Sequence, residues 1–387
     1  MPTPCRFAHL HNWYLRWRSR RSRRWHSVCC PVWRCTSAIS PFLPVPSPAD
    51  LIHAEISAAG GAIPFRRFME FALYGEDGFY SGAGSAGRRG DFITSPEVGP
   101  LFGTVLARAL DAWWQEMASP ADFTVVEAAA GPGTLARSIL AARPACLDAG
   151  RYVAVEVSAV QRARHPDGVE SRSTMPEAAF SGVIIANELL DNLPFDIAVF
   201  DGGWREAWVA SSGGRFVEVL RPFDVLPSVL PTNAPHGARA PIQHAAQAWL
   251  ADALTRLARG YVLLFDYCSP LTAAAASSPW REWLRTYAMH ERGGHYLTDP
   301  GTQDITTQVM LDQLEAVAAP EAIRTQAQFL RLWGIDDLVA EGRSAWLAAA
   351  AKPDLAAMKM RSRISEAQAL LDVSGLGGFT ALTYRTG

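Results

Sequence analysis

Between residues 123 and 186 the chain alternates short apolar runs with a stretch of helical character, a rhythm that few folds tolerate. Phe123–Glu127, Tyr152–Val157 (Tyr-Val-Ala-Val-Glu-Val) and Gly182–Ala186 (Gly-Val-Ile-Ile-Ala) lack strict alternation, and Thr134–Ala142 reads as a helix between the first two. A strand that is apolar on both sides belongs in a parallel sheet covered on both faces. Strands interleaved with helices therefore predict an α/β protein with a doubly wound, mostly parallel sheet.

Around that centre, helices are expected at Ala49–Ala59, Phe65–Leu73, Pro100–Met117 and Ile242–Ala258, and in the carboxyl third at Asp304–Val317, Ala327–Leu332 and Met358–Leu371. Gly260–Tyr267 returns to the parallel-strand style, and Phe379–Tyr384 reads as a closing strand. Phe195–Phe200, Trp204–Ala210 and Phe216–Leu220 are separated by Asp201-Gly-Gly203 and Ser211-Ser-Gly-Gly214. Short strands divided by glycine turns predict an inserted antiparallel meander. The stretch from Tyr74 to Gly90 is glycine-rich and expected to be a loop.

At 387 residues and 49% hydrophobic, the chain can bury a large core. Its formal charge of −2 hides an asymmetry: residues 1–49 hold eight arginines and no acid, which leaves 28 basic against 38 acidic residues in the body. An acidic body lacks the basic face of a nucleic-acid binder, so no such partner is expected. The body's two cysteines, Cys146 and Cys268, are far apart and without metal-ligand spacing. This predicts a reducing compartment and no metal site. No apolar run approaches the ~20 residues of a membrane span.

Met1 to Pro48, rich in Arg, Trp, Ser and Pro, reads as a disordered or non-native extension ahead of a single unit at 49–387. An organellar targeting segment is the alternative, and a nucleic-acid or membrane arm a third. Lysine occurs only at 352 and 359 while arginine and alanine abound, the bias of a GC-rich bacterial genome. The expected location is the bacterial cytoplasm, or the mitochondrial matrix if the leader is a transit peptide.

The strongest local chemistry is Val125-Val-Glu-Ala-Ala-Ala-Gly-Pro-Gly-Thr-Leu135. A strand ends in a carboxylate, Glu127, then turns through Ala129, Gly131 and Gly133 into a helix. Glycine permits positive φ and close approach of a ligand. Glu156 ends the next strand, where a carboxylate can accept both ribose hydroxyls. A dinucleotide fingerprint would read Gly-x-Gly-x-x-Gly, but the sequence from Ala129 is Ala-Ala-Gly-Pro-Gly-Thr. Two carboxylates without a phosphate-gripping cation suit a positively charged nucleoside, of which S-adenosylmethionine is one. A plain strand-to-helix turn is the structural alternative.

Ala186-Asn-Glu-Leu-Leu-Asp-Asn-Leu-Pro194 follows the third strand. Carboxyl ends of strands border the crevice of a doubly wound sheet, which puts Asn187, Glu188 and Asp191 near the cofactor. If a helix starts here, Asn187 and Asp191 share a face, and the carboxylates could pair with a guanidinium. A plain helix cap is the competing reading.

At this point the chain resembles a known family, the MidA-like methyltransferases, which include the mitochondrial complex I assembly protein-arginine methyltransferase. The matching blocks, in order, are Gly90-Asp-Phe-Ile-Thr-Ser-Pro-Glu97, Glu127–Leu135, Asn187–Pro194, Gly260–Tyr267, Leu284-Arg-Thr-Tyr287 and Asp299-Pro-Gly-Thr-Gln-Asp-Ile-Thr306. They span the chain from about residue 50 onward. One position departs: Ala129 stands where the family usually has glycine.

The resemblance implies a class I, Rossmann-like fold and an S-adenosylmethionine-dependent methyltransferase, with a protein arginine as substrate. A small-molecule methyltransferase, or a catalytically weak assembly factor on the same fold, is the alternative. It further implies cofactor contacts from Glu127, Ala129, Gly131, Gly133 and Glu156, with Asp91, Ser95 and Glu97 closing over the site. Asn187, Glu188 and Asp191 would orient the reactants. The sequence does not fix the oligomeric state, and a homodimer is one option. The Asp299–Thr306 block would line a substrate groove or form a structural turn. His295 is expected to pack rather than to act as a base.

Overall fold

The computed structural model describes residues 46–81, 94–288 and 291–387. Most of the arginine-rich extension, most of the glycine-rich loop with Asp91, and residues 289–290 lie outside the described residues. Among the described residues no helix is long and apolar enough to cross a membrane.

The main sheet has seven strands: β1 (Thr124–Ala128), β2 (Arg151–Val155), β3 (Val169–Arg172), β4 (Phe180–Asn187), β5 (Leu257–Asp266), β6 (Ala322–Thr325) and β7 (Thr380–Thr386). Their spatial order is β6-β7-β5-β4-β1-β2-β3. The five strands from β5 to β3 are parallel, while β7 runs antiparallel to both β5 and β6. Chain order reverses between β1 and β4, so a ligand crevice is expected at their carboxyl ends.

The apolar runs are buried on both faces, as their composition requires. Val125, Tyr152, Val183 and Leu263 pack against the helices Pro100–Glu116, Thr134–Ala142 and Gln326–Leu332. Val126, Val153, Ile184 and Val262 pack on the opposite side with the helix His244–Arg256. Each such side chain taken out of water contributes about 1.5–3 kcal/mol. The helix Pro100–Glu116 begins with proline at its first position, and the free Leu101 amide is satisfied by Glu366 at 2.8 Å.

Two glycines set the spacing of the sheet's centre. Gly182 of β4 pairs with Thr124 of β1 on one side and Gly260 of β5 on the other. A Cβ at Gly182 would stand 1.9 Å from the Thr124 carbonyl oxygen, and one at Gly260 would stand 1.8 Å from that of Gly182.

The meander is present as Asp196–Phe200, Trp204–Ser212 and Arg215–Arg221, paired antiparallel. It belongs to a second sheet with Ala62–Pro64 and Arg239–Ile242. Its inner side packs Ile197, Val199 and Val209 against the amino-terminal helices Pro48–Ala58 and Phe65–Tyr74.

The helix expected over Asp304–Val317 is corrected by the structure. Asp304–Thr307 is a strand against Leu284–Ala288, Val309–Met310 pairs with Cys268–Ser269, and only Leu311–Glu315 is helical. Ile305 and Thr307 are buried while Asp304 and Thr306 are partly open, a period of two in a β-branched stretch. The helix Ile335–Ala348 and strands β3 and β6 have no counterpart in the sequence-based expectation.

Candidate cofactor and substrate site

Glu127 is the last but one residue of the wholly buried strand β1 and is itself 6% exposed. Burial pushes its carboxyl up to about 7, against the opposing pull of the Tyr152 phenol, which donates to Oε2 at 2.7 Å. Tyr152 lies on the neighbouring strand, paired with Val125. Burial, together with the adjacent Glu127, raises its own pKa well above the usual phenol range.

The following turn uses left-handed backbone at alternate positions: Ala129 (φ 56°), Gly131 (φ 53°) and Gly133 (φ 78°). Glycine takes this conformation freely, whereas a side chain with Cβ pays about 1–2 kcal/mol. Ala129 is exposed at the crevice, so the cost there is conformational rather than a packing clash.

Neighbouring strands and loops hold the turn. Ala130 N–H donates to Val155 O at 3.0 Å, and Gly131 N–H donates to Glu156 Oε2 at 2.9 Å. Glu156 Oε1 accepts from Ser158 N–H at 2.8 Å. Each carboxylate oxygen therefore keeps a lone pair for a further donor. His165 Nε2 lies 2.9 Å from Gly131 O, with its Nδ1 2.9 Å from Ser171 Oγ.

The end of β4 corrects a second expectation. No α-helix starts at Asn187: the strand runs through Asn187, Glu188 takes φ 52°, and Leu190–Asn192 forms a short 3₁₀ turn. Asn187 and Asp191 consequently do not share a helical face. The Asn187 amide donates to Glu188 Oε1 at 3.0 Å, while Asp191 Oδ2 accepts from Thr306 at 2.7 Å. Glu188 N–H donates to Phe265 O at 2.8 Å, which ties the turn to β5.

Asp266, at the end of β5, fixes the same turn. Its Oδ2 accepts the amides of Leu190 (3.0 Å) and Asp191 (3.3 Å), and its Oδ1 accepts that of Tyr267 (2.8 Å). Burial and the nearby Asp191 carboxylate raise its pKa well above the usual range. Glu188 and Asp191 line one cavity with Tyr80, Tyr267, Tyr287 and Asp304, and Arg285 stands in its wall. Asn192 and Tyr80 both donate to Asp304 Oδ1, at 3.1 and 3.0 Å.

Ser95 faces the interior rather than the crevice: it is fully buried and donates to Gln326 Oε1 at 2.7 Å. Glu97 is used locally, accepting the Thr94 amide at 3.2 Å in a capping box. His295 packs against Tyr296 and Trp280, and burial lowers its pKa.

Tyr152, His165 and Asp266 are contributors that sequence reasoning missed. A tyrosine inside an apolar parallel strand is a signal, because its hydroxyl must find a buried acceptor. His165 carried no signal, since its partner lies 34 residues away.

The residues present fit a cationic nucleoside. Glu156 faces the turn with acceptor capacity to spare, and Asn187 Oδ1 at the end of β4 is a buried acceptor without a hydrogen-bond partner. Three left-handed residues bring backbone close to the crevice between them.

Comparison with known proteins agrees. The sequence model of the S-adenosyl-L-methionine-dependent methyltransferase family matches residues 105–328. The chain is 28% identical over 305 residues to the mitochondrial protein arginine methyltransferase NDUFAF7 homolog of Drosophila melanogaster, covering 67% of each protein. It is 29% identical, with a TM-score of 0.72, to a native crystal structure of an uncharacterized protein from Burkholderia thailandensis, covering 89% of this chain and 95% of that one. A superfamily member from the same organism, bound to S-adenosyl-homocysteine, is 28% identical with a TM-score of 0.74 over the same shares. With the turn, the strand order and these relatives in agreement, the chain belongs to the MidA-like family of S-adenosylmethionine-dependent methyltransferases.

Proposed function

We propose that the enzyme methylates a guanidinium nitrogen of an arginine in a protein partner. The observation that carries this is the convergence of Glu188, Asp191 and Asp304 on one cavity walled by Tyr80, Tyr267 and Tyr287. Carboxylates pair with a planar guanidinium in a bidentate way, and aromatic faces favour a cation. The Drosophila relative's description as a protein arginine methyltransferase supports the same substrate.

In this reading Glu156, Asn187 and the backbone of Ala129, Gly131 and Gly133 hold S-adenosylmethionine, with Glu127 supporting the turn from below. When bound, the cofactor supplies an electrophilic methyl group on a sulfonium. Glu188 and Asp191 hold the guanidinium in line and relieve the charge that grows on it, so alignment supplies most of the catalysis. Asp191 is kept in place by the Thr306 hydroxyl and by its own backbone N–H, which donates to Asp266. The proton released from the methylated nitrogen passes to one of the cavity carboxylates. Residues 49–387 act as the catalytic unit in this proposal.

The test is mass spectrometry of methylated peptides from cells with and without the gene, complemented by wild type, Glu188→Gln or Asp191→Asn. Arginine-methylated peptides present only with wild type are expected. Methylated metabolites with no gene-dependent methylated peptide would overturn the assignment in favour of a small-molecule substrate.

A further inference from the structure

The segment 164–166 is pressed against the cofactor turn at several points. Gly131 has both of its peptide groups engaged: its N–H by Glu156 and its carbonyl by the His165 ring at 2.9 Å. A Cβ at Gly133 would meet Pro166 Cδ at 2.9 Å and the His165 ring at 3.3 Å. Arg137, from the helix after the turn, donates to Arg164 O at 3.0 Å.

The ring's hydrogen-bond roles follow from its partners. A carbonyl oxygen only accepts, so Nε2 carries the proton facing Gly131 O. In the neutral ring Nδ1 then accepts from the Ser171 hydroxyl, and this second bond fixes the ring's orientation. Ser171 lies on β3. A strand of the sheet thus aims a side chain that holds the middle of the turn.

Ala129 gives this bond a purpose. A non-glycine residue at φ 56° persists only where its surroundings over-determine the backbone. With glycine at 129 the turn would adopt its shape at little cost. With alanine there, the clamps on the next residues have to carry it.

We propose that His165, oriented by Ser171, is a positioning residue that holds the strained Ala129–Gly133 turn in its cofactor-binding shape. It compensates for alanine at position 129. The proposal rests on the assignment of this turn as the cofactor's seat.

The test is calorimetric titration of the full-length protein with S-adenosyl-homocysteine, combined with amide hydrogen exchange over residues 129–133 without ligand. His165→Ala is expected to weaken binding by about tenfold and to speed exchange in the turn. His165→Gln, whose amide can donate where Nε2–H does, should stay within about threefold of wild type. In an Ala129→Gly background the loss on His165→Ala should shrink to about threefold or less, a coupling that a purely structural residue would not show. Equal losses in both backgrounds, or a His165→Ala protein that binds like wild type, would overturn the proposal. If His165→Ala does not fold, Ser171→Ala reports the same coupling with a smaller loss, and no coupling there counts against it equally. Glu156→Ala separates the two assignments: unchanged binding there would remove the turn as the cofactor seat, whereas lost binding with an indifferent His165 would sink only the clamp.

Discussion

Asp266 accepts the backbone N–H of Asp191 at 3.3 Å, so one buried carboxylate fixes the backbone that carries another. Asp266 itself does not line the cavity; Asp191 does. Removing the acceptor by Asp266→Ala strands buried amides and should cost about 1–3 kcal/mol of stability. Asp266→Asn keeps one acceptor oxygen for the Leu190 and Asp191 amides but turns its NH2 toward the Tyr267 amide, so its cost should fall between wild type and the alanine variant. Chemical denaturation of the three proteins checks the order, and kcat/KM should fall by at least about tenfold for the alanine variant as Asp191 loses its position.

Glu127 makes stability depend on pH. Its folded pKa of about 7 lies above the ordinary carboxyl value of 4.5, so the native state binds this proton more tightly than the unfolded chain. The contribution is therefore fully present below about pH 4.5 and is lost as pH rises through about 7. Its size is on the order of 3 kcal/mol. Glu127→Gln is neutral at every pH, so the difference in unfolding free energy between wild type and variant should shift by roughly this amount between pH 5 and 8. A flat difference across that range would contradict the burial of an ionisable group here.

Ala129→Gly should stabilise the protein modestly. Relief of left-handed strain contributes about 1–2 kcal/mol, and the greater freedom of glycine in the unfolded chain takes back about 0.4–1 kcal/mol. A net gain between zero and about 1.6 kcal/mol in denaturant unfolding is the expected outcome.

Gly182→Ala should be far more damaging. The new methyl would sit 1.9 Å from a backbone oxygen of the adjacent strand, which cannot swing aside. The loss should exceed about 3 kcal/mol, seen as insoluble or unfolded protein on expression.

Much of this architecture was legible because its strands are short, apolar and punctuated by glycine. Thr134–Ala142 is a helix with the expected bounds, and the meander strands are divided at Asp201-Gly-Gly203 and at Gly213-Gly214, the second strand running on through Ser211 and Ser212. The region after Asp304 misled because four apolar residues among Ile305, Val309, Met310 and Leu314 mimic helical spacing. Pairing of Asp304–Thr307 with Leu284–Ala288 decides it, and that partner is remote in sequence. The Asn187–Asp191 stretch misled for a related reason: its shape is dictated by Asp266 and Phe265 on another strand, not by local propensity. At Ala129 the residue was legible but its φ was not.

Strand β7 comes from residues 380–386 yet occupies an interior place between β5 and β6. During synthesis β5 must wait for more than a hundred further residues before its second edge is covered. Until then Leu263 and its neighbours present an open hydrogen-bonding edge, the template on which strands of other chains pair. Chains cut short before residue 380 should therefore aggregate or be degraded rather than accumulate as a partly active enzyme. Strand β7 thus serves as a completion check on the very strand that carries Asp266.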